Sequence, residues 1–388
     1  MSAAGSGGAP RRLRIAVVCY PTYGGSGAVA ADVAIRLAER GHQVHVVSSD
    51  RPFRLDRQLP NLVLHTVTPG DYALFRYPPY ELNLTNKLIE LVEEHGVEII
   101  HSHYAIPHAA CAWQAREVLR DRLAQRGERV RLACTLHGTD ITLVGRERGF
   151  FDLTRFAIGR QDLLTAPSAW LAAETDRHFG TAGRVEVIPN SVDIERFRPD
   201  PAPAWRRDLA PPGHKVIAHV SNFRPVKRVE EVVRAFAVLR RRLPATLVLV
   251  GEGPDLPQAE HLARELGVRA DVRLLGLQAP EPILQASDLF LLPSRSESFG
   301  LAALEAMACG VPVLGYRTGG LPEVVEDGVS GILCPEGADV CLGSLAAGLL
   351  LDPVRHAAMA AGARQRAERF APGPVVDRYE RALSSLIA

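Results

Sequence analysis

None of the six cysteines (Cys19, Cys111, Cys134, Cys309, Cys334 and Cys341) sits in a Cys-x-x-Cys pair, and most fall inside apolar runs. This pattern excludes a disulfide framework and fits reduced core thiols in a cytoplasmic protein, with a catalytic cysteine as the alternative. No run approaches the ~18 apolar residues that a membrane helix needs. Arg11 and Arg12 ahead of Leu13–Tyr20 imitate a signal peptide, but Arg14 interrupts the run and Pro21 to Gly25 end it. Charge of one sign is missing too. The 45 Lys and Arg against 44 Asp and Glu leave +1, so nothing in bulk draws nucleic acid or an anionic membrane. Any anion site must be local.

What is present is a full globular composition, 47% hydrophobic and 23% charged over 388 residues. Domains of ~100–200 residues make two the natural number. Short β-branched runs alternate with helical patterns throughout, which predicts parallel sheets covered on both faces. In the first half they are Leu13–Tyr20, Gln43–Ser49, Leu62–Thr66, Glu98–His103, Val130–Thr135, Leu163–Ala166 and Val185–Ile188. In the second half they are Lys215–Val220, Thr246–Val250, Val272–Leu275, Leu289–Leu292, Pro312–Tyr316 and Gly331–Cys334. Val29, Val33 and Leu37 mark a helical stripe that Gly41 ends. Between the halves, the proline-rich Arg196–Gly213 reads as a linker. The expected order is a disordered tail over 1–11, one doubly wound domain over 12–195, and linker plus second domain over 196–368. A last helix over 369–388 is expected to return to the first domain. Two such sheets would face each other across a ligand cleft.

Gly24-Gly25-Ser26-Gly27 follows the first strand and opens a helix, putting bare N–H groups where an anion can approach. Gly25-x-Gly27-x-x-Ala30 with Asp50 also satisfies a dinucleotide fingerprint, so a nicotinamide oxidoreductase competes. Against it, Pro21 to Gly24 intervene where that turn is normally tight. The densest constellation lies later. Glu297 falls on a loop after the strand Leu289–Leu292, and Glu305 sits one to two turns into a helix expected to begin near Phe299 and to close at Gly310. Between the two carboxylates, the N–H groups of Phe299, Gly300 and Leu301 make a positive helix end suited to a diphosphate. Ser221-Asn222-Phe223-Arg224-Pro225-Val226-Lys227-Arg228 is a second strand-to-helix turn whose cations suit a departing nucleoside diphosphate. The plainer reading of that run is a solvated basic turn.

Together these pieces resemble the family-four retaining glycosyltransferases. The resemblance rests on Glu297-x7-Glu305, the tract from Glu297 to Gly310, and Thr318-Gly319-Gly320-Leu321-Pro322-Glu323. A closer similarity, to members that use malate, is carried by Cys19-Tyr20-Pro21, Gly24 to Gly27, Pro52 to Leu55, Tyr77 to Tyr80, His101 to Ala105, Thr135 to Thr142, Arg155 to Ile158 and Ser221 to Arg224. The larger family usually has Gly-Arg where this chain has Ser221-Asn222, which leaves open which Arg meets the phosphate.

The cysteines with the lack of a membrane-length run make a cytoplasmic enzyme the expectation, and the resemblance implies the two-domain GT-B architecture. It implies transfer of N-acetylglucosamine from UDP-N-acetylglucosamine to L-malate, with the α configuration retained, as the first step of bacillithiol biosynthesis. No cofactor or metal is implied, in keeping with the absence of any Asp-x-Asp; His101 and His103 are a metal alternative that no Cys, Asp or Glu cluster accompanies. It further implies that Glu305 holds the ribose, Glu297 a sugar hydroxyl, and the backbone near Leu277 the uracil. Arg224 and Lys227 would stabilise leaving UDP, with Asn222, Phe299, Gly300 and Leu301 around the donor and Gly25 approaching the diphosphate. His137 would meet the donor sugar. Malate would be gripped by Arg155, with Ser26, Tyr104 and Thr135 donating to its oxygens. No nucleic-acid or membrane partner is expected, and a homo-oligomer is possible. Rival readings are another small acceptor (an inositol phosphate or a sugar), a UDP-sugar epimerase, the nicotinamide oxidoreductase, and a silent sugar-nucleotide binder.

Overall fold

The computed structural model describes residues 11–22, 24–68 and 79–388. The expected disordered tail therefore lies, except for Arg11, outside the described residues, as do Tyr77 and Pro78. The chain divides into two compact units. The first comprises residues up to Ala166, Ala172–Ile188 and Val376–Ala388; the second comprises Pro167–Leu171 and Pro189–Val375.

In the first unit seven strands form one parallel sheet: β1 (Arg14–Val18), β2 (Gln43–Ser48), β3 (Leu62–Thr66), β4 (Ile99–His103), β5 (Arg131–Thr135), β6 (Leu163–Ala166) and β7 (Val185–Val187), in the order β3-β2-β1-β4-β5-β6-β7. β1, β2, β4 and β5 are nearly continuous buried runs, as expected of strands covered on both faces. Helix Ser26–Glu39 lays Val29, Val33 and Leu37 inward and stops where Gly41 takes φ 91°. Leu84, Leu88, Leu91 and Val92 of helix Tyr80–His95 share a core with Cys111, Ala115, Leu119 and Leu123 of helix Ala110–Gln125.

The second unit repeats the plan with six strands: β8 (Lys215–Val220), β9 (Ala245–Val250), β10 (Val272–Leu274), β11 (Leu289–Leu292), β12 (Val313–Tyr316) and β13 (Gly331–Cys334), in the order β10-β9-β8-β11-β12-β13. One face is covered by helices Val229–Arg240 and Asp339–Leu351, the other by helices Leu301–Ala308 and Pro353–Glu368. In each unit the strand order reverses once, between β1 and β4 and between β8 and β11. Ligands of doubly wound sheets bind beyond the carboxyl ends of the strands at that reversal. The first reversal carries the glycine loop Gly24–Gly27, and the second carries the carboxylates and cations singled out in the sequence.

Two expectations need correction. The proline-rich Arg196–Gly213 is not a free linker: Phe197 and Leu209 are buried in the second unit's cores, and Arg206–Leu209 is a short helix. Its aromatic and aliphatic residues outweigh its prolines. The last helix is Pro372–Ser385, beginning after a turn at Arg369 to Ala371, and from Val376 it belongs to the first unit. There Tyr379 is buried, and Glu380 accepts hydrogen bonds from Arg40 (2.5 Å) and His42 Nε2 (3.0 Å).

Candidate active site

At the carboxyl end of β8, a buried histidine builds the turn. His219 Nδ1–H donates to the Leu291 carbonyl (2.8 Å), so its Nε2 accepts the Ser221 hydroxyl (2.9 Å), and Ser221 Oγ in turn accepts the Phe223 N–H (3.2 Å). Burial holds the His219 pKa at about 4, keeping the imidazole neutral for this relay. Phe223 is fully buried at φ 33°. Two glycines let the neighbouring loop approach: a Cβ on Gly251 would lie 1.9 Å from the Ser221 carbonyl oxygen, and one on Gly253 would lie 2.0 Å from that of Asn222. The turn is therefore fixed, with Asn222 and Arg224 exposed and Lys227 half-buried. Arg228 is committed to Glu231 and Glu336 (2.8 and 2.7 Å). Gly251 N–H donates to the Gly276 carbonyl (2.8 Å), which sets Leu277 beside the same turn.

The loop after β11 is tied to that turn by the Arg295 N–H on the Val226 carbonyl (2.8 Å). Lys227 Nζ donates to Glu297 Oε1 at 2.7 Å, and the Glu297 side chain is only 8% exposed. A carboxylate so far from water needs such a partner. The Glu297 carbonyl accepts the Gly320 N–H (2.7 Å); a Cβ on Gly319 would fall 2.0 Å from that oxygen, and one on Gly320 2.4 Å from the Ser298 oxygen. Thr318-Gly319-Gly320 is thus the backing of the Glu297 loop.

The helix begins at Leu301, not near Phe299, because Gly300 caps it in a left-handed conformation (φ 97°) that a side chain would oppose. The N–H groups at its open end are those of Leu301, Ala302 and Ala303, while the Phe299 side chain is buried edge-on to Phe370 (centroids 5.7 Å apart). Glu305 is buried one turn in. Asn222, Arg224, Lys227, Leu277, Glu297, Gly300 and Leu301 accordingly share one carboxyl edge.

In the first unit, Gly25 caps helix Ser26–Glu39 at φ 59°, and a Cβ on Gly27 would fall 2.5 Å from the Tyr20 carbonyl oxygen. Seven residues, 19 to 25, separate β1 from this helix, longer than a dinucleotide turn. Ser26 is nearly buried. Beyond β4, Tyr104 takes φ 108°, stacks on His137 (5.7 Å) and meets Tyr20 edge-on (5.4 Å). Asp140 locks the two loops, accepting N–H bonds from His137 (3.1 Å), Gly138 (2.9 Å) and Ala105 (3.1 Å). Burial pushes its carboxyl up while these N–H groups pull it down.

His137 is half-buried, and its Nε2 lies 2.9 Å from His103 Nδ1. Burial, with His101 and His108 nearby, holds the His137 pKa at about 3. Thr135 is fully buried, its hydroxyl shared between His101 Nε2 (2.8 Å) and Thr165 Oγ1 (2.7 Å). Arg155 is exposed on helix Phe151–Gly159. Among the described residues no group of three His, Cys, Asp or Glu is placed to hold a metal ion, and no helix is long and apolar enough to cross a membrane. Five cysteines are buried and Cys341 is exposed; burial pushes Cys19 and Cys309 up to about 12, which leaves poor nucleophiles.

Sequence reasoning gave no role to His219 or Asp140, read His103 only as a metal alternative, and read Ser221 only as part of the basic turn.

Residues 23–196 match the family described as Glycosyltransferase Family 4, and residues 202–366 match Glycosyl transferases group 1. The chain is 41% identical over 373 residues to the N-acetyl-alpha-D-glucosaminyl L-malate synthase of Bacillus anthracis, covering 95% of this chain and 96% of that protein. It is 30% identical to a D-inositol 3-phosphate glycosyltransferase of Saccharomonospora viridis, covering 93% and 90%. Among solved structures, Anabaena HepE in complex with UDP-glucose shares the fold, with a TM-score of 0.83 at 23% identity over 97% of this chain and 100% of that one. With two Rossmann-like parallel sheets and these relatives, the chain belongs to the family-four, GT-B-fold glycosyltransferases and is a hexosyl-transferring enzyme.

Proposed function

We propose that this enzyme transfers N-acetylglucosamine from UDP-N-acetylglucosamine to the hydroxyl of L-malate with retention of the α configuration, as the first step of bacillithiol biosynthesis, in the cytoplasm and without a metal. The observation that carries the chemistry is the Lys227–Glu297 pair, held 2.7 Å apart beside the open N–H groups of the helix that bears Glu305. Amide donors and a cation at one point suit a diphosphate. Glu297 then takes a sugar hydroxyl and Glu305 the ribose. Leu277 offers its backbone to the uracil, and Arg224 and Lys227 receive the charge of departing UDP. In the first unit, His137 meets the donor sugar, the Gly25 loop the phosphates, and Arg155 with Ser26 and Tyr104 the malate. The malate acceptor is supported by the relative at 41% identity.

In the step itself, the malate oxygen bonds to the sugar's anomeric carbon as that carbon's bond to the UDP oxygen breaks. The electron pair leaves with UDP, and a β-phosphate oxygen takes the malate hydroxyl proton. UDP and the glycosylated malate account for every atom. The test is to incubate the protein with UDP-N-acetylglucosamine, with and without L-malate, in the presence of a chelator. UDP and an α-linked product should appear one for one, only with malate, and undiminished by the chelator. UDP release with an inositol phosphate but not with malate would overturn the acceptor, an epimerised donor the reaction, and loss of rate with chelator the metal-free step.

A further inference from the structure

The carboxyl edge of the first unit holds four buried or half-buried imidazoles, of His101, His103, His108 and His137. Their ring nitrogens are unequally satisfied. His108 Nδ1–H donates to the His103 carbonyl (2.7 Å), which pins the His103 backbone. Asp140 pins the His137 backbone through its N–H (3.1 Å). The two rings then meet, with centroids 5.1 Å apart, at a single hydrogen bond between His103 Nδ1 and His137 Nε2 (2.9 Å). His103 Nε2 is buried with no partner among the described residues.

That orphan decides which way the hydrogen bond runs. Burial keeps both rings uncharged near neutral pH, so each carries one proton. If His137 Nε2–H donated, His103 Nδ1 would have to accept, and its own proton would sit on the orphaned Nε2, an N–H buried with nothing to receive it. If His103 Nδ1–H donates, the orphan is only a lone pair. Unpaired buried N–H groups are the rarer and costlier of the two. We propose that His103 is a positioning residue that donates to His137 Nε2 and so fixes the His137 proton on Nδ1, making this ring an N–H donor to a ligand oxygen. The role of a histidine is set by the bond its far nitrogen makes. The inference rests on the reading of His137 as a residue that meets the donor sugar.

The test uses the full chain labelled with 15N-histidine and a two-bond proton–nitrogen correlation spectrum at neutral pH. The His137 signals are identified by their loss in His137→Gln. The wild type should show Nδ1 protonated and Nε2 bare. His103→Leu should scramble that pattern and lower kcat about tenfold, as for one lost hydrogen bond. His103→Asn, whose amide N–H replaces Nδ1–H, should keep the pattern and recover most of kcat. A wild-type spectrum with the proton on Nε2 overturns the proposal and needs no His103 variant to fold; an unchanged pattern in His103→Leu overturns it equally. Should the tautomer stand while His137→Gln turns over at the wild-type rate, the placement of His137 in the site is what fails.

Discussion

The two carboxyl edges are built from opposite materials. The first unit's edge is lined by neutral imidazoles: burial holds His101 and His108 at about 4 and His137 at about 3, and pushes His103 well below its ordinary value. The second unit's edge carries the Lys227–Glu297 pair, the exposed Arg224 and the open start of the helix Leu301–Ala308. Its single buried imidazole, His219, is spent inside a turn. A diphosphate asks for charge and amide donors, and only the second edge concentrates both. The first edge offers directed hydrogen bonds and shape, and the cation proposed for it is Arg155. Malate is a dianion, so this contrast makes Arg155 the residue on which the acceptor reading turns.

The largest effect expected is at Lys227. Lys227→Ala removes charge stabilisation that grows as UDP departs, and kcat should fall about 100–1000-fold with the donor KM nearly constant. Because that change also strands Glu297, Lys227→Ala/Glu297→Gln should regain thermal stability without regaining turnover. Recovery of both would mean that the pair is only structural. Glu305→Ala should raise the donor KM about 10–100-fold, the loss of hydrogen bonds to a charged group, and leave the malate KM alone. Arg155→Ala should raise the malate KM about tenfold with donor affinity intact. Equal shifts in both KM values would erase the division of labour between the edges.

Much of this was legible in advance, for physical reasons. All thirteen strands of the two sheets coincide with β-branched runs to within about two residues, most clearly the central ones, whose burial on both faces favours continuous apolar stretches. Glu297 and Lys227 stood out because they follow strand ends, and Glu305 because it falls one to two turns into the helix behind Glu297. What stayed hidden is non-local. Phe197 and Leu209 bury a segment whose prolines suggested a linker. Gly300 moves the helix start by two residues through a cap conformation that no periodicity reports. Thr135 ends a strand, where a hydroxyl can serve a ligand, but His101 and Thr165 claim it once β4, β5 and β6 align. His103 acquires a partner only through that same alignment.

The smallest effect is a difference in acid stability between the units. Six histidines of the first unit (His45, His65, His101, His103, His108 and His137) have pKa values lowered by burial, against His219 alone in the second. A group whose folded pKa lies below its unfolded value of about 6.5 binds its proton more readily when unfolded, so stability is lost as pH falls from there towards about 4. At pH 6 each of His101, His108 and His137, with folded values of about 4, 4 and 3, costs about 0.8 kcal/mol, the free energy of protonating a group half a unit below its unfolded pKa. Trp113 belongs to the first unit, and Trp170 and Trp205 to the second, so variants keeping only one set report each unit separately. Between pH 7.5 and pH 6, the urea midpoint reported by Trp113 should fall while that reported by the other two moves much less. Equal shifts would show that the first edge's imidazoles are not held neutral by burial, and the contrast between the two edges would lose its physical cause.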